Sequence, residues 1–399
     1  MLPKNLGQLL ERNAKAFLLA AFLFQFNATS FAENAQVPVS TPAVPAPKDW
    51  LMFHQNTDHT GFLYADQVFP VGGKLKWSFP AEGGIDSSPA IFRGVAYVGC
   101  DDSYLYAVDS KLGKMLWRTK LGGPIKSSPM VNAMNVFVGS EDAKLYCLDA
   151  RTGKLNWTFD ANINADSSPH KLSSSPIPCK TNVLIGSWDG NMYAVDMKTG
   201  QLSFKVETQG RITSSPAAND STIFISSHDG SLYAVSADNG SLVWKFKTAN
   251  KVYSSPMLME NMVYFGSWDK TFYALDIHSG KPVWKFAGAE TFSISPVGYK
   301  GKVFVGNDDL KMYCLDAKTG KLNWKTPISS PIPLLSSSPA IGGNFLFVGS
   351  SDANVYCLDS RNGGIKWKYK TQRPIISSPA IGEKGVCVGS QDGNLYYLE

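Results

Sequence analysis

Six cysteines, five histidines and a recurring Ser-Ser-Pro triplet are the residues from which this 399-residue chain could assemble chemistry. Cys100, Cys147, Cys179, Cys314, Cys357 and Cys387 are separated by 47, 32, 135, 43 and 30 residues. That spacing contains no C-x-x-C, no haem-type C-x-x-C-H and no zinc-like cluster. The thiols therefore read as small buried core residues, with few or no disulfides among them. His54, Asp58 and His59 could be drawn as metal ligands. No third strong ligand is local, so they read as a surface feature of a lead-in strand. No nucleophile elbow, Walker loop or dinucleotide fingerprint is present in the sequence. A nucleophile chosen from so many equivalent triplet serines would have no visible activating base.

Recognition chemistry is better represented. Three residues ahead of three consecutive triplets stand Lys171, Arg211 and Lys251, and in the turns that follow stand Trp188, His228 and Trp268. Cations beside aromatic rings suit an anionic group, a sugar ring or a peptide carrying acidic side chains. These six residues form the candidate partner-binding rim.

The elements that must position them come from a repeat. The triplet, or a close variant, starts at 87, 127, 174, 214, 254, 294, 337 and 377, at intervals of 40, 47, 40, 40, 40, 43 and 40 residues. Each unit reads as four short strands with turn residues between them. Segments such as VAYVG (95–99) are apolar on both strand faces, as expected of a sheet covered on both sides. Tyr recurs at one position of every unit, from Tyr106 to Tyr396. An aromatic residue closes most units: Trp117, Trp157, Phe204, Trp244, Trp284, Trp324 and Trp367. The eighth unit lacks this last strand, and an orphan KLKWSF (74–79), carrying Trp77, precedes the first triplet. The predicted fold is all-β: an eight-bladed β-propeller of four-stranded antiparallel blades, with the N-terminal strand completing the last blade and removing its open edge. The Asp-Gly pairs at 189, 229 and 392 predict two-residue hairpins, and the units with Ala143, Lys270, Leu310 or Ala353 at the glycine position predict different turns.

These motifs resemble the pyrroloquinoline-quinone (PQQ)-type propeller repeat over about 75–399. Within that resemblance Trp77, Trp117, Trp157, Trp244, Trp284, Trp324 and Trp367 fall on the blade-docking tryptophan, and Asp109, Asp149, Asp196, Asp276, Asp316 and Asp359 on the turn aspartate. Phe204 and Ser236 depart from the pattern, which implies looser docking there. The repeat is also similar in type to that of the propeller lipoprotein of the outer-membrane β-barrel assembly machinery, although residues 1–99 hold no cysteine for lipidation. The resemblance implies a scaffold of the cell envelope that binds a protein or peptide without catalysing a reaction. It also offers the alternative of a quinoprotein-like dehydrogenase using PQQ and Ca²⁺. Against that alternative, the chain has no adjacent cysteine pair and no long inter-blade insertion. A carbohydrate- or surface-binding module using Trp188 and Trp268 is the third reading. No cofactor is predicted outside the dehydrogenase alternative.

Residues 1–32 read as a secretory signal peptide: basic residues, an apolar stretch over 16–26 too short to span a bilayer, then small residues at Ser30 and Ala32. Residues 33–48 read as a Pro- and Ala-rich linker and 49–399 as the propeller domain. A periplasmic or secreted, monomeric protein is expected, without a stable membrane span after cleavage. The formal charge is +5, and +3 without residues 1–32, so composition does not point to a nucleic-acid partner.

Overall fold

The computed structural model describes residues 49–63, 72–161, 170–328 and 337–399. The signal peptide and linker read from 1–48 lie outside these residues, as do the central parts of the two longer inter-blade connections. Eight sheets, each built on four antiparallel strands, follow one another in chain order. In the first, Ala90–Phe92, Val95–Gly99, Tyr104–Asp109 and Met115–Lys120 run from the inside of the ring outwards. The two middle strands are buried along almost their whole length, whereas the outer strand is mostly exposed. This burial is why the middle strands are apolar on both faces. The final blade is completed by Leu75–Pro80 pairing with Asn394–Leu398, with Trp77 opposite Tyr397. Lys74 and Glu399 exchange backbone hydrogen bonds at the seam.

Three repeated contacts hold the ring, the first two joining each blade to the next and the third bracing each blade's own turn. An indole lies on the glycine of the following blade's outer turn: a Cβ built on Gly153 would meet the Trp117 ring at 2.5 Å, and Gly153 has φ +70°. Glycine is required there for both reasons. The indole Nε1–H also donates to that blade's backbone, as from Trp77 to the Ser110 carbonyl at 3.0 Å and from Trp284 to Ala317 at 2.8 Å. Phe204 occupies the same place over Gly240 but has no N–H to donate. Trp367 lies against Gly73 beside the seam that closes the last blade, and its buried Nε1 has no partner among the described residues.

The second contact is a closed hydrogen-bonded girdle. The amide of the second triplet serine donates to the corresponding hydroxyl oxygen one blade on: Ser88 to Ser128, Ser128 to Ser175, Ser175 to Ser215, Ser215 to Ser255, Ser255 to Ser295, Ser295 to Ser338, Ser338 to Ser378 and Ser378 back to Ser88, at 2.9–3.3 Å. The first serine braces its own blade, as where Ser87 Oγ accepts the Gly99 amide at 3.1 Å while its hydroxyl donates to the Ser127 carbonyl of the next blade at 3.0 Å. The triplet is thus a joint, and its hydroxyls are committed to structure. The third contact tightens the turns. Each repeated tyrosine hydroxyl donates to the turn aspartate four residues earlier, as Tyr106 does to Asp102 at 2.6 Å and Tyr356 to Asp352 at 2.6 Å.

Residues 49–61 form no blade strand, and Phe62–Leu63 adds a short parallel fifth strand beside Ala340–Gly342 of the seventh blade. Together they make a strap across the inner strands. Carbonyls of Trp50, Leu51, Thr57, Asp58, Thr60 and Gly61 accept the amides of Ile91, Val131, Ala218, Leu258, Gly298 and Ile341 at 2.6–3.0 Å. Those amides sit on the channel-facing edge and would otherwise lack protein partners. The third blade places Pro178 at the matching position, which has no N–H to satisfy. The strap lies toward the inner-strand ends that lead into the first turns, and Asp49 Oδ1 accepts the Arg93 amide there. The serine girdle circles the opposite end.

Two expectations are corrected. His54 and His59 are 2% and 0% exposed, so they are not surface residues: the strap carries them into the ring. The Asp-Gly sites are not two-residue hairpins. In the fourth blade three residues, 228–230, join Thr222–Ser227 to Ser231–Ser236, with Gly230 in the left-handed region at φ +83°. Ala143, Lys270, Leu310 and Ala353 adopt the same hand, with φ of 69°, 67°, 64° and 64°. The Tyr–Asp bond and the repeat geometry hold these units in the common turn despite the steric cost of a Cβ.

Candidate functional site

The connection into each inner strand and the turn between the second and third strands meet at the girdle end of the channel, the mouth. Within three consecutive blades a backbone bond joins them: Trp188 N–H to the Lys171 carbonyl at 3.1 Å, His228 to Arg211 at 2.9 Å, and Trp268 to Lys251 at 2.9 Å. The sequence spacing of the rim therefore corresponds to direct contact.

The side chains form one row. Lys171 Nζ lies 5.1 Å and the Arg211 guanidinium 4.7 Å from the Trp188 ring centre. In the next blades the His228 ring is 3.9 Å from Tyr253, Tyr253 stacks on Trp268 at 4.4 Å and 19°, and Lys251 Nζ is 6.0 Å from Trp268. Tyr253 is the member that sequence reasoning missed. It stands immediately before its triplet, a position also held by Ser173, Thr213 and Ser293. Those three hydroxyls anchor the rings: Trp188 Nε1 donates to Ser173 Oγ at 2.7 Å, Trp268 Nε1 to Ser293 Oγ at 2.9 Å, and Thr213 Oγ1 bonds His228 Nε2 at 2.8 Å.

Charge is divided around the mouth. Lys171 is neutralised by Glu141 at 2.7 Å. Arg211 and Lys251 are exposed and have no carboxylate within ion-pair distance among the described residues. Burial, reinforced by Lys251 and Arg211, holds the His228 imidazole down to about 4, so it is neutral at neutral pH. Other mouth positions are acidic: Asp86 and Asp101 in the first blade, Glu141 in the second and Asp308 in the sixth. Burial pushes the Asp101 and Asp308 carboxyls up, with neighbouring acids adding to the shift. Lys126 partly compensates Asp86 at 3.4 Å. Among the described residues no cluster of three or more His, Cys, Asp or Glu side chains is arranged to hold a metal ion. The six thiols are each free and buried. The rim can attract anions, stack planar or apolar groups and keep its rings fixed; the triplet serines beneath it are occupied in the girdle.

Residues 67–208, 203–333 and 332–399 match the family described as outer membrane protein assembly factor BamB. Among solved structures, quinohemoprotein alcohol dehydrogenase from Comamonas testosteroni is similar at 14% identity and a TM-score of 0.76, covering 89% of this chain and 81% of that one. BamB from Moraxella catarrhalis is similar at 16% identity and a TM-score of 0.70, covering 82% of this chain and 99% of that one. The computationally designed protein Ika8 is similar at 17% identity and a TM-score of 0.72, over 82% of this chain and 99% of that one. These identities show a shared fold. A search of curated protein sequences returns no match.

Proposed function

The chain belongs to the family described as outer membrane protein assembly factor BamB, and from that premise we propose that it is an exported, non-catalytic propeller that serves as a protein-binding scaffold in the cell envelope, docking its partner at the channel mouth. The observation that carries this reading is the row from Trp188 to Trp268: fixed aromatic rings flanked by two exposed cations, Arg211 and Lys251, that no described carboxylate neutralises. Aromatic and arginine side chains on a rigid support are the groups that dominate protein interfaces. Among the described residues no helix is long and apolar enough to cross a membrane.

The fold likeness to quinohemoprotein and methanol dehydrogenases raises PQQ as a possible cofactor. The residues here do not fit a quinone chamber. The described turns at the mouth are short, as at 228–230. The cysteines are buried singly within separate blades, so no adjacent-cysteine disulfide can face a quinone.

The test is affinity capture from native envelopes, comparing wild type with a Trp188→Ala, Trp268→Ala double variant and with a variant on the opposite face, Lys318→Ala. Partners captured by wild type and Lys318→Ala but lost from the double variant support the proposal. Retention of every partner by the double variant, or PQQ-dependent dye reduction by the purified protein, overturns it.

A further inference from the structure

The rim can be read more closely, in an inference that rests on the docking role just proposed. Its two indole N–H groups are already spent on Ser173 and Ser293, and His228 Nε2 on Thr213. What remains for a partner is ring surface and charge. A sugar would need side-chain acceptors and donors for its hydroxyls, and these three blades offer few beyond Arg211 and Lys251. An apolar or aromatic side chain needs only the ring surface, and a carboxylate needs only the cations. The ring positions repeat from blade to blade around the mouth, so the row is elongated and suits a strand-like occupant rather than a compact one. Beyond its ends the mouth turns acidic, at Asp101 and Asp86 on one side and Asp308 on the other. An occupant acidic along its whole length would be repelled there, whereas one with basic flanks would be held.

We infer that the Trp188–Arg211–His228–Tyr253–Trp268–Lys251 row is the seat of an extended segment of a partner protein in which acidic residues alternate with aromatic or apolar ones, with basic residues flanking them. Its carboxylates pair with Arg211 and Lys251, its apolar side chains cover the Tyr253–Trp268 stack, and its basic flanks lie over the acidic blades. The rings are fixed by hydroxyl anchors before any partner arrives, which lowers the ordering cost of binding.

The test uses the purified full chain and three labelled peptide probes: one with a Glu-Phe-Glu-Phe centre and lysine flanks, the same peptide with Gln for Glu, and one with glutamate flanks. Fluorescence anisotropy is followed at low and high salt. The first probe is expected to bind, to weaken as salt rises, and to lose at least about tenfold in affinity in Arg211→Gln and Lys251→Gln, the effect of removing a charge-assisted contact. Arg211→Lys should recover part of the loss, and Lys281→Gln on the far face should change nothing. NMR titration of His228 gives an independent readout, because a carboxylate bound between the two cations raises the imidazole's titration point. Equal binding of the Gln probe or the glutamate-flanked probe overturns the inference. So does unchanged affinity in both charge variants, a motionless His228 titration, or preferential capture of a neutral oligosaccharide. Absence of any peptide binding overturns it too, yet leaves standing the rim-dependent capture of an envelope protein, so the two readings fail separately.

Discussion

Substituting Ser255 by alanine removes one acceptor from the girdle. The Ser215 amide, now paired with Ser255 Oγ at 2.9 Å, is left without its partner in a position where Ser255 is only 4% exposed. An unsatisfied buried N–H costs about 1–3 kcal/mol. Unfolding entropy is about 2.1 cal/mol/K per residue, so a ring of roughly 350 residues should lose about 1.5–4 °C in melting temperature. The Ser255 amide keeps its own bond to Ser295, so the loss is one link and not two. Ser338→Ala is the internal comparison. Its hydroxyl accepts the Ser295 amide at 3.3 Å, the longest link of the circle, and its removal should cost less. Calorimetric melting and urea titration of both variants give the answer. If Ser255→Ala melts with the wild type, water replaces the hydroxyl and the girdle adds nothing to stability. If Ser338→Ala is the more damaging, bond length is the wrong guide.

Further expectations follow from other contacts. Trp284→Phe should cost about 0.5–1.5 kcal/mol more than Trp367→Phe in urea unfolding, because Trp284 donates to the Ala317 carbonyl whereas the Trp367 Nε1 has no partner among the described residues. Burial holds the His59 imidazole down to about 4 from its ordinary 6.5, and that of His54 well below 6.5. The unfolded chain therefore takes up protons that the folded chain refuses, so stability should fall as pH drops from 6.5 toward 4, and His59→Gln should flatten that slope in pH-dependent melts. Burial pushes the thiols of Cys147, Cys314 and Cys357 up to about 12, so native protein should leave all six cysteines unreacted with a thiol reagent at mildly alkaline pH until it is unfolded.

The blades were legible because their chemistry is local and repeated. Trp77 could be assigned to the last blade from its phase alone, since the missing strand and the orphan tryptophan sit at opposite ends of one periodic pattern. The rim residues were legible for the same reason: Lys171, Arg211 and Lys251 hold one repeat position, and Trp188, His228 and Trp268 another. Tyr253 was missed because its neighbours at that position are Ser and Thr, and their common role as ring anchors exists only in three dimensions. The girdle was visible as a triplet but not as a circle, because each bond runs to a serine 40 or more residues away. His54 and His59 were misplaced because the strap has no period, and its partners are the edge amides of six different blades. The left-handed turns at Ala143 and Leu310 were hidden because neither residue favours that conformation by itself.

The strap and the seam also impose a timetable on folding. Leu75–Pro80 has its partner at Asn394–Leu398, more than three hundred residues away, and the strap needs inner strands from the first blade to the seventh. The segments synthesised earliest are thus among the last to reach their places, and a partly made chain holds blades that cannot yet join into a circle. Such long-range pairing makes assembly slow and leaves edge strands uncovered for longer. A holding factor during synthesis or transit should raise the yield of this protein more than it raises the stability of the finished ring.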